Sequence, residues 1–319
     1  MGDAEQSVTY ADRSGDAFSR KTRRARVADV LHQAGCRAEA EKLFREAEEI
    51  HAKNEPANPL LHTLSGFQYC DLLLAAPERA AWGEMQNVEC RMKKEELVAA
   101  CRAVSQRAAQ TLKWAEQNNL SLLTLALDHL TLGRAALYAA ILERSAVVSA
   151  GPAAATPDPQ SASGSSNGFF PAEAAAGGAS PTPAIQTIET ARRELDAAVA
   201  GLRRAGTTHH IPCALLTRAW LRFLTGACTG PERAQADLDE SWEIAERGPM
   251  KLFLADVLLS RARLFGMKKE ECRMQNEKTP YPWKLPQDDL AAAEKLINTC
   301  GYHRRDEELA DAKQAILGL

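Results

Sequence analysis

The sequence predicts an all-α fold built from stacked helix pairs. Three observations carry that prediction. Alanine supplies 57 of the 319 residues while aromatics supply only 6%. That balance favours helices packed closely through small side chains and disfavours a β-sandwich, whose strands want β-branched and aromatic residues. Almost every segment outside one linker repeats its apolar residues at helical spacing. Proline or glycine marks most junctions between segments: Gly35, Pro59, Gly206, Pro212, Gly230-Pro231, Gly248-Pro249 and Gly301.

The segments come in pairs. Ser19 to Gln33 pairs with Arg37 to Ala52 across Gly35. Pro59 to Leu74 pairs with a long helix predicted from Trp82 to Gln117. The third pair opens with Leu120 to Arg144 and resumes beyond the linker with Ile185 to Ala205. Pro212 to Leu224 pairs with Pro231 to Arg247, and Met250 to Phe265 with Asp288 to Thr299. A last helix, Arg304 to Ile316, closes the chain. The linker, residues 149–183, has no Lys or Arg and is dominated by Ala, Gly, Ser and Pro. Such a segment cannot bury enough apolar surface to offset its chain entropy, so disorder is expected there. Its pair Phe169-Phe170 reads as solvated. The chain thus divides into helical repeats over 1–148, the linker inside the third repeat, and repeats plus a capping helix over 184–319, all in one continuous stack.

A repeat runs through the second helix of each pair. Ala40, Phe44 and Ala47 recur as Ala108, Leu112 and Ala115, as Ala191, Leu195 and Ala198, as Ala234, Leu238 and Ser241, and in worn form as Ala292, Leu296 and Thr299. Small outer slots let two helices approach, and the middle residue fills the groove between them. On the first helices, Ala28 with Leu31 and Gly66 with Tyr69 add a small-then-large pair; in the third repeat Ala126 and Gly133 both fit the small slot. This pattern resembles the tetratricopeptide repeat, a helix–turn–helix unit of about 34 residues. The resemblance covers most of the chain outside the linker and implies a right-handed solenoid of about five helix pairs with a capping helix. Blocks such as YADRSGDAF, GFQYCDLLL, ALDHLTLGRA and GYHRRDEEL also resemble the helical-repeat arm of longer bacterial signalling or NTPase proteins. Ser7 to Arg13 then reads as the end of a second helix whose partner is missing.

Lys plus Arg is 39 and Asp plus Glu is 42, a net charge of −3, which argues against a basic nucleic-acid binder. The N-terminus has no apolar core of a signal peptide, and Gln6 replaces the Ser or Thr that a myristoylation signal needs. No apolar run is expected to reach the roughly 18 residues of a membrane span. The eight cysteines are dispersed, without a C-x-x-C pair, and read as reduced thiols of a cytoplasmic protein.

Catalytic and metal motifs are weak. Gly164 to Gly168 matches G-x-S-x-G, but in low-complexity sequence rather than between a strand and a helix. His209, His210 and Cys213 would supply at most a partial metal shell, and the turn they occupy reads as a polar connection. His32, His51, His62, His129 and His303 are scattered. No metal site and no cofactor are expected. The runs Glu89 to Glu96 and Lys268 to Lys278 read as solvated faces, and Tyr281-Pro282-Trp283 as a turn packed over the last pair.

Charges within the otherwise apolar first helices are the informative residues. In a repeat stack the first helices line the concave face. Asp128 lies on such a helix with His129 and Arg134 near its edges; Arg218 and Arg222 flank Trp220; Asp256 and Arg263 share a face; and Asp71 ends the first helix of pair two. Two readings are open: contacts to a partner peptide or helix, or mutual pairing that sets the stacking register. Arg304 and Arg305 oppose the dipole of the last helix and should find acidic partners elsewhere. The expected function is a non-enzymatic scaffold for a protein or peptide partner, with no nucleic acid and no membrane. The alternative is a regulatory or sensor arm of a larger bacterial signalling NTPase or effector enzyme.

Overall fold

The computed structural model describes residues 2–86, 93–149, 183–266 and 281–318. Among these residues every regular element is helical: α1 (Gly2–Ser14), α2 (Ala17–Gln33), α3 (Arg37–Asn54), α4 (Thr63–Gln86), α5 (Lys94–Gln117), α6 (Leu122–Ser149), α7 (Pro183–Ala205), α8 (Ile211–Leu224), α9 (Ala234–Arg247), α10 (Lys251–Phe265), α11 (Pro286–Cys300) and α12 (Asp306–Leu317). Short 3-10 turns, Thr208–His210 and His303–Arg305, precede α8 and α12.

Most consecutive helices are joined by short connections and fold back on one another; longer segments separate α6 from α7 and α10 from α11. The even-numbered helices α2, α4, α6, α8 and α10 touch in succession, and α3, α5, α7, α9 and α11 each pack on the helix before them. α12 touches α10 and also α4, and the turn before it touches α2. The end of the chain therefore packs against its beginning. Gly35 makes this approach possible: its φ is +81°, and a Cβ there would lie 3.3 Å from the backbone of His303.

The repeat slots locate the core. Ala40, Phe44, Ala47, Ala191, Leu195, Ala198, Ala234, Leu238 and Ser241 are all fully buried. Gly133 and Ala126 both face α7: a Cβ on Gly133 would stand 2.7 Å from Leu195, and one on Gly201 would stand 2.8 Å from Ala126. In α5, Ala108 and Ala115 are buried, but Thr111 takes the deepest middle position and Leu112 is half-buried. The worn fifth copy is shifted by one residue. Ala293 and Ile297 are buried, whereas Ala292 and Thr299 are exposed. The run of alanines at 291–293 hides this phase, because any of the three satisfies a small slot.

Three further boundaries differ from expectation. α4 continues past Leu74, through Pro77, to Gln86, and α5 begins at Lys94. Pro77 removes one backbone donor, but the turn beyond it is anchored by packing: the Trp82 ring stacks on Trp220 at 3.7 Å between centroids, and Trp220 Nε1 donates to Met85 Sδ at 2.8 Å. Tertiary contact overrides the local breaker. The last helix starts at Asp306 rather than Arg304, so its first turn carries Asp306, Glu307 and Glu308, charges that suit a helix N-terminus. The 23 residues Leu122–Arg144 of α6 are long and apolar enough to cross a membrane by length and composition, contrary to the expectation that no run reaches that length; their most apolar stretch is 83% buried inside the protein. α1 packs on α2, where Arg24 donates to Asp12 at 2.7 Å.

Candidate functional site

A cavity of about 240 Å³ opens among α2, α4, α6, α8, α10 and the turn before α12. Its floor is charged and its mouth is largely apolar. Four carboxylates and four guanidiniums meet at or beside the floor, supplied by both ends of the chain.

Asp71 of α4 accepts from Arg134 of α6 at 2.8 Å through one oxygen and from Arg304 through the other. Glu78, two turns along α4, accepts from Arg134 at 3.0 Å and from Arg305 at 3.0 Å. Asp256 of α10 accepts from Arg305 Nε at 2.9 Å and from the Tyr302 hydroxyl at 2.9 Å. Glu308 of α12 accepts from Arg263 of α10 at 2.9 Å and also pairs with Arg305. Arg263 additionally donates to the Glu308 carbonyl and lies over the Trp82 ring, 4.8 Å from its centroid. All eight side chains are nearly or fully enclosed. Removing so many charges from water is tolerable only because each meets an opposite partner in hydrogen-bonding geometry.

The balance of burial against pairing differs from site to site. Burial pushes Asp71 up, but Arg304 and Arg134 outweigh it and hold the carboxyl well below the usual range. Burial likewise raises Glu308, yet Arg305 and Arg263 draw it down to about 2. Asp256 ends above its ordinary value, because burial exceeds the help of Arg305; that guanidinium is shared with Glu78 and Glu308. Asp29 of α2 also lines the cavity. It accepts from the amides of Gln33 at 3.2 Å and Gln68 at 2.8 Å, and burial raises its pKa. No Arg or Lys stands within ion-pair distance of Asp29 among the described residues.

The expected site residues separate into two groups. Asp71, Arg134, Asp256 and Arg263 come together in the cavity. The other four face outer helices instead. Asp128 accepts from the Thr111 hydroxyl of α5 at 2.9 Å. His129 meets Glu194 of α7 at 2.6 Å. Arg218 donates to Asp237 of α9 at 2.7 Å, and Arg222 pairs with the same carboxylate at 3.0 Å. These four join successive helix layers, so the eight do not form one surface. Asp128 illustrates the cost of that role: burial pushes its carboxyl up to about 7, and its second oxygen has no partner.

Glu78, Glu308 and Asp29 escaped the sequence reading. Glu78 lies beyond Leu74, where the predicted helix ends, and Glu308 lies on the helix assigned to capping. The cationic Arg304-Arg305 pair was the available signal, and its acidic partners are now identified. His210 borders the cavity mouth, edge-on to Phe67 at 5.9 Å, and burial lowers it to about 4. Cys213 is pushed up to about 11 by burial, which keeps it a thiol. Among the described residues His209, His210 and Cys213 do not gather as potential ligands, whereas His51, Glu55 and His62 bring ligand atoms within 4.8 Å of one another. Trp283 donates to Asp239 of α9 at 2.9 Å, and Arg261 lies over both the Trp242 and Trp283 rings, so the Tyr281–Trp283 turn packs over α9 and α10. The G-x-S-x-G match, Phe169-Phe170 and the runs Glu89 to Met92 and Lys268 to Lys278 lie outside the described residues.

No family model, curated protein or solved structure matches this chain.

Proposed function

We propose that the chain is a non-enzymatic scaffold, a solenoid of the tetratricopeptide type curled until its ends meet, whose inner face takes one or two side chains of an extended partner peptide. The observation that carries this reading is the Asp29 carboxylate in the cavity wall, held by two amides and making no ion pair among the described residues. The rest of the charged floor is internally neutralised, four against four. The mouth offers Leu64, Phe67, Leu252 and Phe253. A Lys or Arg beside an apolar residue complements both features, since a partly buried carboxylate gains most from a charge-assisted hydrogen bond. The volume, about 240 Å³, is below the usual range of roughly 300–1,000 Å³ for small-molecule sites. A partner helix, about 10–12 Å across, does not fit inside, which narrows the expected ligand to an extended segment.

The test is a peptide array in which Lys or Arg is placed next to Leu or Phe, followed by affinity measurement in solution. Ser260 also lines the cavity and makes no ion pair, so Ser260→Trp should plug it and abolish binding while circular dichroism stays helical. Asp29→Asn should weaken binding of the basic peptides at least tenfold and leave their uncharged analogues unaffected. Peptide binding indifferent to both substitutions would overturn the cavity as the site.

A further inference from the structure

We propose that His51, Glu55 and His62 form a binding site for a transition-metal dication of the zinc class, with a fourth position left for water and Lys21 as the resident cation that the metal displaces. The site lies at the C-terminal end of α3, away from the central cavity. His51 is one turn before Glu55, which caps α3, and His62 sits just before α4. One ligand atom from each of the three lies within 4.8 Å of the others.

The separation of the first two ligand atoms matches zinc, and the third lies within 4.8 Å of both. His51 Nδ1 and Glu55 Oε1 are 3.4 Å apart. Two ligands held about 2.0–2.1 Å from one tetrahedral zinc stand roughly 3.3–3.4 Å from each other. Two imidazoles and a carboxylate are a known zinc set that leaves one coordination position open. His62 Nδ1 lies 3.4 Å from the Leu60 carbonyl. The tautomer that donates there leaves Nε2 with a free lone pair, as a backbone carbonyl commonly does for a metal-bound histidine. His51 is 1% exposed, and its ring lies 5.0 Å from that of His62.

The site already attracts positive charge. The Lys21 ammonium sits 3.1 Å from His51 Nδ1 and 3.7 Å from Glu55 Oε1. The end of a helix favours a cation, because its last carbonyls point outward. Lys21 reaches this point on a flexible stem from α2 and can swing away. Glu55 is 44% exposed, so an ion reaches the ligands from solvent.

The experiment is calorimetric titration of the reduced, untagged full chain with Zn²⁺, with Co²⁺ as an optical probe. One Zn²⁺ should bind per chain. His62→Ala should weaken it at least ~100-fold, since even lost outer-shell support costs 10–100-fold. Glu55→Gln, at a half-buried cap, provides a second variant should His62→Ala fail to fold. Lys21→Met should tighten binding about tenfold, a change of roughly 1.4 kcal/mol, because a competing cation is gone. The His62 ring lies 4.6 Å from Trp114, so Co²⁺ should quench part of the tryptophan fluorescence, and Trp114→Phe should abolish that part. Absence of a site tighter than that of His62→Ala, or a Co²⁺ spectrum dominated by thiolate charge transfer and unchanged by Glu55→Gln, would overturn the proposal.

Discussion

Replacing Arg305 by Met should lower stability far more than removing an exposed charge. The Arg305 side chain is 10% exposed and serves three carboxylates: Glu78 at 3.0 Å, Asp256 at 2.9 Å, and Glu308. Methionine matches much of the aliphatic stem, so little packing is lost. What changes is that Asp256 keeps only the Tyr302 hydroxyl as a direct donor, while Glu78 retains Arg134 and Glu308 retains Arg263. Breaking a buried pair by removing one partner costs about 3–5 kcal/mol. At about 2–4 °C per kcal/mol for a chain of this size class, the melting temperature should fall on the order of 10 °C. The assay is a thermal melt at neutral pH followed by helical circular dichroism, with Arg247→Met as the control. Arg247 and its partner Glu243 are 78% and 68% exposed, and an exposed pair is worth at most about 1 kcal/mol. Adding Asp256→Asn to Arg305→Met should recover part of the loss, because the stranded carboxylate is then neutral; the cycle of four proteins isolates the coupling. An Arg305→Met shift no larger than that of Arg247→Met would refute the reasoning, since it would mean that water already screens the floor of the cavity.

Other outcomes follow from the same geometry. Asp128→Asn should stabilise the fold above pH 7 and be silent near pH 4: the folded carboxyl titrates at about 7 rather than at 3.8, so the wild-type fold loses stability as pH rises between those values, and paired melts at the two pH values check the sign. Glu308 works in the opposite direction. Its folded value of about 2 lies below the ordinary 4.5, so its stabilisation is present above pH 4.5 and fades as pH falls toward 2, which an acid titration of Glu308→Gln against wild type would show as a shallower loss. Reversing Arg218 and Arg222 together to Glu should lower stability by about 3–5 kcal/mol, because both pair with Asp237, which is 3% exposed; an unchanged melt would return them to the list of free surface charges. Ala293→Leu should cost about 1–3 kcal/mol by overpacking and Ala292→Leu nothing measurable, since only the former is buried; equal effects would show that the fifth repeat is wrongly phased.

How much of this was legible in the sequence depends on how locally each feature is encoded. Helix type and most boundaries follow from periodicity and from the glycines and prolines at the junctions, which act within a few residues. The failures have non-local causes. Pro77 is a breaker by its own chemistry, yet α4 runs through it because Trp82 and Met85, beyond it, are needed against Trp220, well over one hundred residues away in the chain. The phase of the fifth repeat was lost because three consecutive alanines satisfy the same slot. The candidate site was half legible for the same reason. A charge inside an apolar helix announces that it needs a partner, and all eight proposed residues have one or more polar contacts in the structure. Spacing along one helix does not say whether the partner is across the cavity or on the next outer helix. Asp71 and Asp128 look alike in sequence, but one meets two guanidiniums and the other a threonine.

The Arg304-Arg305 pair ties the end of the chain to the cavity proposed as the site. Stacked pairs alone leave the two ends of a repeat array free to separate. Here Asp71 and Glu78 on α4 reach the turn before α12, and Arg79 of α4 meets Glu307 and Asp311 of α12 outside the cavity. The charges that close the ends on each other are the charges that floor the cavity. Asp29 lies close to Arg304, which pairs with Asp71 and reaches Gln33, itself a donor to Asp29, so the cationic side chain proposed to enter there would come close to Arg304. On the proposed reading, partner binding and end closure share one electrostatic balance. Weakening the closure at a distance, by Arg79→Met, should then alter peptide affinity without touching the peptide. It should also lower the melting temperature of the free chain, by about 1 kcal/mol or less because Arg79 is 39% exposed. Affinity that stays constant while the melt shifts would show that the ends and the cavity are energetically independent.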